Sequence, residues 1–463
     1  MFMKILVLNG SPAGEGSITL QTVRYLEKRF PEASFSFLPA ASRIRGYERD
    51  FAEARAALED AELLLFSYPV YTFLIPAQLY RFLELIRENG VDLAGKWMSQ
   101  ISTSKHFYDV TAHRFLLDYA EEAGMHAVRG LSADMEDLLK EKGRREAEGW
   151  FRHLLWAVKH HSAEPARLPA APDGDRRKAA VPAGGTAKRS GKRIALVADL
   201  EEGNEVLASM IARFEARSPW PVTVVNLRDF PFAGGCLGCF HCAAAGECVY
   251  RDGFDVLLRN QIQTADATVY AFRVSDHSMG YRFKLFDDRQ FMNGHRTVTM
   301  GKPVGYLIDG CLSREENLRM LIEARAEVGG NMLAGAASSE RDPDGEIDRL
   351  AGELSYAVIR SYSLPANFFG VGGMKIFRDL IYQMQGLMRE DHRFYREHGF
   401  YDFPQKKKAT VVGMYLVGEM MRNEKLKKKL GGNMTKGMLM PYKAVVDKAL
   451  PRGKKSGKGA DPA

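Results

Sequence analysis

At 463 residues the chain is long enough for about three domains of ordinary size. Hydrophobic residues at 46% and charged residues at 27% exclude a disordered chain, and five cysteines are too few for a disulfide scaffold. The net charge of +7 is uneven: from Val371 onward 20 Lys and Arg face 9 Asp and Glu, which leaves −4 for the first 370 residues. The body therefore lacks the concentrated basic surface of a nucleic-acid binder. Apolar runs such as Ala61 to Tyr71 and Val411 to Val417 fall short of the roughly 18 residues of a membrane span, so none is expected. The first ten residues lack the apolar core and cleavage site of a signal peptide, and the expected location is the cytoplasm.

In chain order, Lys4 to Leu8 is a continuous apolar run rich in branched residues, which predicts a parallel strand buried on both faces. The loop Asn9 to Ser17 follows, then a helical pattern over Ile18 to Phe30 with Leu20, Val23, Leu26 and Phe30 on one face. Further strands are predicted near Ala33 to Leu38, Glu62 to Phe66, Trp97 to Ser102 and Ala127 to Leu131, with a helix near Asp50 to Asp60. Strands alternating with helices predict a doubly wound parallel α/β sheet. Ser162 to Lys192 carries four prolines, four glycines and no apolar period, as a flexible linker would. The pattern then restarts at Arg193 to Ala198, with a loop to Asn204, a helix from Glu205, and strands at Val222 to Leu227, Ala267 to Phe272 and Pro303 to Ile308. Two tandem copies of one fold are predicted.

From about Gly370 the pattern is helical, with Ile376, Phe377, Leu380, Ile381, Met384, Leu387 and Met388 on one face, and nine of the 20 methionines lie beyond residue 370. Such a face adapts to a partner domain, a subunit or a membrane surface; the plain reading is a helical subdomain on the second sheet. The expected boundaries are 1–160 for the first domain, 161–191 for the linker, 192–365 for the second domain, 366–450 for a helical extension and 451–463 for a disordered basic tail.

Three loops carry the chemistry of the first domain. In Asn9 to Ser17, including Gly10, Ser11 and Pro12, backbone N–H groups of a strand-to-helix turn converge at a helix N-terminus, which makes a phosphate cradle with hydroxyls from Ser11, Ser17 and Thr19. It has no lysine and no Gly-Lys-Ser ending, so a monophosphate fits better than a triphosphate; taken alone, such a segment is about as often merely a turn. The aromatic and backbone-rich run Ser67 to Leu79, with Pro69, Val70, Tyr71 and Thr72, follows the third strand at the edge where ligands of open sheets bind, and suits a flat heterocycle. Ser102, Thr103 and Ser104, followed by Lys105 and His106, end the fourth strand on the same edge. Together these loops make a pocket for a phosphate, a ribityl chain and a ring.

At these positions the chain resembles the flavodoxin-like NAD(P)H-dependent FMN reductases. The resemblance lies in Gly10-Ser11-Pro12 for the phosphate loop, Pro69-Val70-Tyr71 for the flavin loop, and Pro76-Ala77-Gln78-Leu79 with Phe82 behind it. It covers about residues 3–155 and, more weakly, 192–360. It implies FMN as cofactor, NAD(P)H as electron donor, electron transfer through the flavin to a small-molecule or protein acceptor, and subunits that pair with flavins near their interface, so a homo-oligomer is allowed. The family's acidic-Arg ending of the flavin segment is replaced here by Glu84-Leu85-Ile86-Arg87, whereas Phe286-Asp287-Asp288-Arg289 in the second half looks like it. His277, Arg282, Lys284 and Arg289 are candidates for a nicotinamide phosphate, with at least two expected as solvated helix charges.

The second domain carries Cys236, Cys239, Cys242 and Cys248. Three thiols at intervals of three, with a fourth after a short turn, can face one small inorganic core. The spacing resembles the compact motif of iron-sulfur flavoproteins, which implies a [4Fe-4S] cluster; free or redox thiols, and zinc with His241 as a substitute ligand, remain open. Cys311 is expected to be a buried core thiol. In the second copy Asp199, Glu201 and Glu202 stand where an anion would sit, so FMN is expected in the first half and the cluster in the second. No side chain is assigned as a catalytic acid or base. A cluster-free NAD(P)H:FMN or quinone reductase, and a non-enzymatic electron carrier acting on a protein partner, are the alternatives.

Overall fold

The computed structural model describes residues 3–164, 176–363 and 366–422, in two compact units, Met1–His398 and Gly399–Ala463. The tail expected at 451–463 lies outside the described residues, as do 423–450 of the expected helical extension and 165–175 of the expected linker.

The first half of the larger unit runs β1 (Lys4–Asn9), α1 (Ile18–Arg29), β2 (Ser34–Leu38), α2 (Ile44–Tyr47), α3 (Ala52–Asp60), β3 (Leu63–Pro69), α4 (Ala77–Glu88), β4 (Trp97–Ser104), α5 (Asp109–Glu122), β5 (His126–Ala127), β6 (Leu131–Asp134) and α6 (Glu141–Lys159). The second half runs β7 (Ile194–Ala198), α7 (Glu205–Arg217), β8 (Val222–Asn226), α8 (His241–Ala245), α9 (Phe254–Val256), β9 (Ala267–Arg273), α10 (Tyr281–Arg289), β10 (Pro303–Asp309), α11 (Glu316–Gly329), β11 (Met332–Ser338) and α12 (Pro343–Arg360). α13 (Phe368–Gln383) and α14 (Arg389–Glu397) complete this unit, and the smaller unit contributes α15 (Lys408–Arg422).

Both sheets are parallel and follow one path. The first is ordered β2-β1-β3-β4-β5, with β6 also on β4, and the second β8-β7-β9-β10-β11. This is the doubly wound, flavodoxin-like order twice over. Strand alternation divides the core into layers. Ile5 and Val7 face α1 and α6, whereas Leu6 and Leu8 face the other way, into a core that runs on through Tyr80, Phe283, Phe286 and Tyr306 to the second sheet. Leu196, Val269 and Leu307 close the outer layer with α7 and α12. Because the two sheets share their central core, they are halves of one body.

β11 and the helices around it escape pattern reading. Met332–Ser338 is built of small residues with a left-handed Gly335 and a register shift against β10, so it carries little of the branched-residue signal of a strand. The expected linker is also better ordered than its composition suggests where it is described. Residues 176–191 form no regular element, yet Arg177, Ala179, Thr186 and Arg189 donate backbone hydrogen bonds to Ser339, Ser209, Ala216 and Pro219 of the second half. α13 and α14 also belong to the larger unit, with Phe377 packed on Phe107 at 4.2 Å.

The two halves interlock reciprocally. After β3, Tyr71 and Leu74 exchange backbone hydrogen bonds around Thr72 and Phe73, both left-handed (φ 39° and 69°); after β9, Ser275 and Ser278 do the same around Asp276 and His277 (φ 48° and 56°). Left-handed non-glycine residues are costly and persist only where surroundings hold them. Here the opposing helix does so. From α10, the Lys284 Nζ donates to the Tyr71 carbonyl (2.8 Å), and Asp288 accepts from the Ala77 N–H (2.8 Å). From α4, the Tyr80 hydroxyl donates to the Ser275 carbonyl (2.7 Å), and Glu84 accepts from the Tyr281 N–H (3.0 Å). Lys284 thus answers to Tyr80 and Asp288 to Glu84, an isologous pairing inside one chain.

The Tyr80 hydroxyl also accepts from the Gly280 N–H at 3.1 Å, and Tyr80 is fully buried. Tyr80→Phe should therefore leave the buried Gly280 N–H without a partner and the Ser275 carbonyl with the Ser278 N–H alone, and cost about 1–3 kcal/mol, read as a lowered denaturation midpoint. A shift near zero would mean that this pairing does not hold the halves together.

Candidate functional site

The carboxyl edge of the first sheet opens into a cavity of about 470 Å³. The loop after β1 is preformed. Asn9 donates through Nδ2 to the Gly14 carbonyl (3.0 Å) and accepts at Oδ1 from the Ser11 N–H (3.2 Å), while Ser17 caps α1 by accepting from the Leu20 N–H. Ser11, Ser17 and Thr19 are buried and line the cavity, and Thr19 shares a 2.6 Å hydrogen bond with Thr103. The first amides of α1 face the same point by helix geometry, a donor arrangement that suits an anion.

Pro69, Val70, Tyr71 and Thr72 form the next wall, with Thr103 and Ser104 beside them. The Thr72 hydroxyl is committed to Lys284 (2.7 Å) and Asp288, so it holds the turn. Three expected residues do not line the cavity. Gly10 packs under it, where a Cβ would meet Leu79 at 2.4 Å, Pro12 lies in the loop, and Ser102 turns away to the half-buried His113 ring (2.7 Å).

The facing wall comes from the second half. Cys236, Cys239, Cys242 and Cys248 all line this same cavity. The Cys236 carbonyl accepts from Gln78 of α4 (3.3 Å), and left-handed Gly238 lies so close that a Cβ there would sit 1.9 Å from the Tyr71 hydroxyl. Burial, and then the Cys236 and Asp288 charges, hold the Tyr71 phenol far above its usual range. Arg289 fastens the base of the cysteine loop: it donates to the Gly234 carbonyl (2.9 Å), grips Asp252 through two bonds of 2.8 Å, and lies 4.5 Å from the Tyr250 ring centre. Burial pushes the Cys242 thiol up to about 11, with Asp391, Cys248 and Cys239 adding to it, and holds Cys236 well above the ordinary thiol range. Cys239 is exposed and the other three are half-buried; neighbouring thiols disfavour each other's ionisation, a condition that a bound cation relieves, so the donor chemistry fits a thiolate-ligated metal centre. Among the described residues, however, no three His, Cys, Asp or Glu side chains meet at one metal-binding point.

Phe107, Phe291 and, from α13, Phe377 and Leu380 complete the apolar side of the cavity. Beside them His295 donates or accepts at Nδ1 with buried Asp391 of α14 (3.0 Å). Neither α13 nor α14 belongs to the repeated fold, and only an apolar periodicity announced the first of them.

The second copy of the site is closed. Asp309, the counterpart of Thr103 by strand pairing, is fully buried and is held by Asn204 (3.0 Å), Ser339 (3.1 Å) and the Arg176 guanidinium (2.9 Å). With Asp199 and Glu201 paired to Arg228 nearby, carboxylates and their own cations fill the place of an anion. The basic residues expected to meet a nicotinamide phosphate are likewise committed. His277 pairs with Glu315 (3.1 Å), Arg282 donates to the Leu227 carbonyl, and Lys284 and Arg289 are buried in ion pairs, so these last two are not solvated helix charges. Cys311 is half-buried outside the cavity.

Residues 3–136 match the model of the NADPH-dependent FMN reductase family. An iron-sulfur flavoprotein of Archaeoglobus fulgidus is 27% identical over 176 residues, 36% of this chain and 79% of that protein. Among solved structures, an FMN-dependent NADH-azoreductase of Bacillus anthracis in complex with FMN is 14% identical, covering 33% of this chain and 99% of its own, with a TM-score of 0.26. An NAD(P)H:quinone oxidoreductase of Methanothermobacter marburgensis is 13% identical over 36% of this chain and 100% of its own, with a TM-score of 0.29.

Two outcomes are expected. Gly238→Ala drives a Cβ into Tyr71 in an already left-handed residue, at a cost of about 1–3 kcal/mol, and should weaken FMN binding roughly tenfold; unchanged affinity would remove the cysteine loop from the cavity wall. In metal-free protein, alkylation of Cys242, followed by peptide mass spectrometry, should keep accelerating up to a pH of about 11, since only the thiolate reacts. A plateau near pH 9 would contradict its burial.

Proposed function

We propose that this chain, whose residues 3–136 belong to the NADPH-dependent FMN reductase family, is a flavin-dependent NAD(P)H oxidoreductase that holds one FMN in its first half and a [4Fe-4S] cluster at Cys236, Cys239, Cys242 and Cys248. The observation that carries the reading is that the anion cradle, the Tyr71 loop and all four thiols line one cavity. FMN would supply coupling of two-electron hydride chemistry to one-electron transfer, and a cluster single-electron exchange. Ser11, Ser17, Thr19 and the first amides of α1 would bind the phosphate, with Gly10 and Pro12 setting the loop. The 69–72 segment would hold the ring edge, and Thr103 and Ser104 the chain between. Lys284 and Asp288 keep that segment in place from the second half, and Phe107, Phe291 and Phe377 exclude water from the apolar side. The closed second copy supports one flavin per chain. The iron-sulfur flavoprotein relative supports the cluster.

A cluster-free NAD(P)H:FMN or quinone reductase is the second reading, favoured by the absence of a common metal-binding point among the described side chains. Anaerobic purification with flavin, iron and sulfide quantitation on one sample separates them. About one FMN with four iron and four sulfide per chain is expected. Flavin without iron after anaerobic reconstitution, with NADPH oxidation unaffected by Cys239→Ala, would leave the cluster-free reductase. A cluster without flavin would leave an electron carrier that acts on a protein partner.

A further inference from the structure

The smaller unit presents a surface that no redox chemistry uses. In α15 (Lys408–Arg422), Val411, Val412, Met414, Tyr415, Leu416, Val417 and Met420 are all exposed, Tyr415 by 74% and Leu416 by 63%. Six of the seven fall within seven consecutive residues, more than one turn of helix, so they girdle it instead of forming a stripe. Its described part holds 15 residues, or roughly 22 Å of length, and no described helix is long and apolar enough to cross a membrane. In the sequence, cations bracket its apolar run: Lys406, Lys407 and Lys408 before and Arg422 after, with Lys407 on Asp402 and Arg422 on Glu419 in exposed ion pairs, while Lys425, Lys427, Lys428 and Lys429 follow outside the described residues. Over residues 399–463 the sequence has 15 Lys and Arg against 5 Asp and Glu, a net +10, while the rest of the chain sums to −3.

We infer that α15 and its flanking lysines dock the protein on the surface of an anionic lipid bilayer. A shaped protein groove reads apolar anchors at one helical spacing, on one side. An apolar girdle with cations at both ends suits a fluid boundary instead: the side chains enter the acyl margin, and the lysines reach back to the headgroup phosphates. Each lysine near such a surface strengthens binding roughly fivefold, so the two clusters act with the girdle to give stable but reversible attachment. This docking is independent of which redox group the cavity holds.

The test is co-sedimentation of the full chain with phosphatidylcholine vesicles, with and without phosphatidylglycerol. Partitioning should be at least about twentyfold stronger onto the anionic vesicles, and should fall as salt shortens the screening length. The double variant Val412→Glu with Leu416→Glu changes only exposed positions; it should lose at least tenfold in binding while keeping the parent's melting temperature and cavity-bound cofactor content. Lys406→Glu, Lys407→Glu and Lys408→Glu together should weaken binding to the anionic vesicles by at least about tenfold. Equal or absent binding to both vesicles overturns the inference, as does binding that the substitutions leave unchanged. Concentration-dependent self-association that the double variant abolishes, with vesicles ignored, overturns it too and assigns the girdle to a second copy of the chain.

Discussion

The structure depends on the buried clasp between α4 and α10. Two turns that are individually strained, one after β3 and one after β9, are each held by a side chain and a carboxylate from the other half. Such turns gain nothing from local propensity, since Thr72, Phe73, Asp276 and His277 all sit in a backbone region that favours glycine. Their shape is a tertiary product, and the first of them is a wall of the cavity. The second half therefore shapes the site even where it contributes no lining atom.

The clasp is reciprocal, yet its chemistry is not. Tyr80 and Glu84 act as a phenol and a carboxylate, whereas Lys284 and Asp288 are a fully buried ion pair, worth having only because every polar atom finds a partner on the Tyr71 loop. The same divergence runs through the sites. Thr103 sits beside an open anion cradle; its counterpart Asp309 sits in a closed network with Arg176, Asn204 and Ser339. One copy keeps the cradle, and the other spends its polar groups on itself and sends the cysteine loop across to the first.

Arg289 illustrates how far sequence reading reaches. As part of Phe286-Asp287-Asp288-Arg289 it resembles a cofactor contact, and its charge alone suggests a phosphate. Folded, it is 1% exposed and ties Gly234 to Asp252, so its task is to hold the cysteine loop in register against Gln78 and Tyr71. Ser102 shows the same limit on a strand: alternation sends it to His113 while Thr103 reaches the cavity. His295 with Asp391, and Phe377, had no readable signal as site residues, because His295 sits in the loop between α10 and β10 and its neighbours come from helices outside the repeated fold.

What the sequence by itself determined is local and periodic: the apolar runs of β1, β3, β7, β9 and β10, the strand-to-helix turn between β1 and α1, the tandem repeat, and the four-cysteine spacing. These follow from residue types at short separation, where strand alternation, helix capping and ligand spacing act directly. Only the tertiary structure decided which loops share a cavity, that both sheets are halves of one body, and that the second cradle is shut. Each of those outcomes rests on contacts across roughly 130 to 220 residues, such as Lys284 on Tyr71 or Arg176 on Asp309, and no pattern along the chain encodes which buried charge will find which partner.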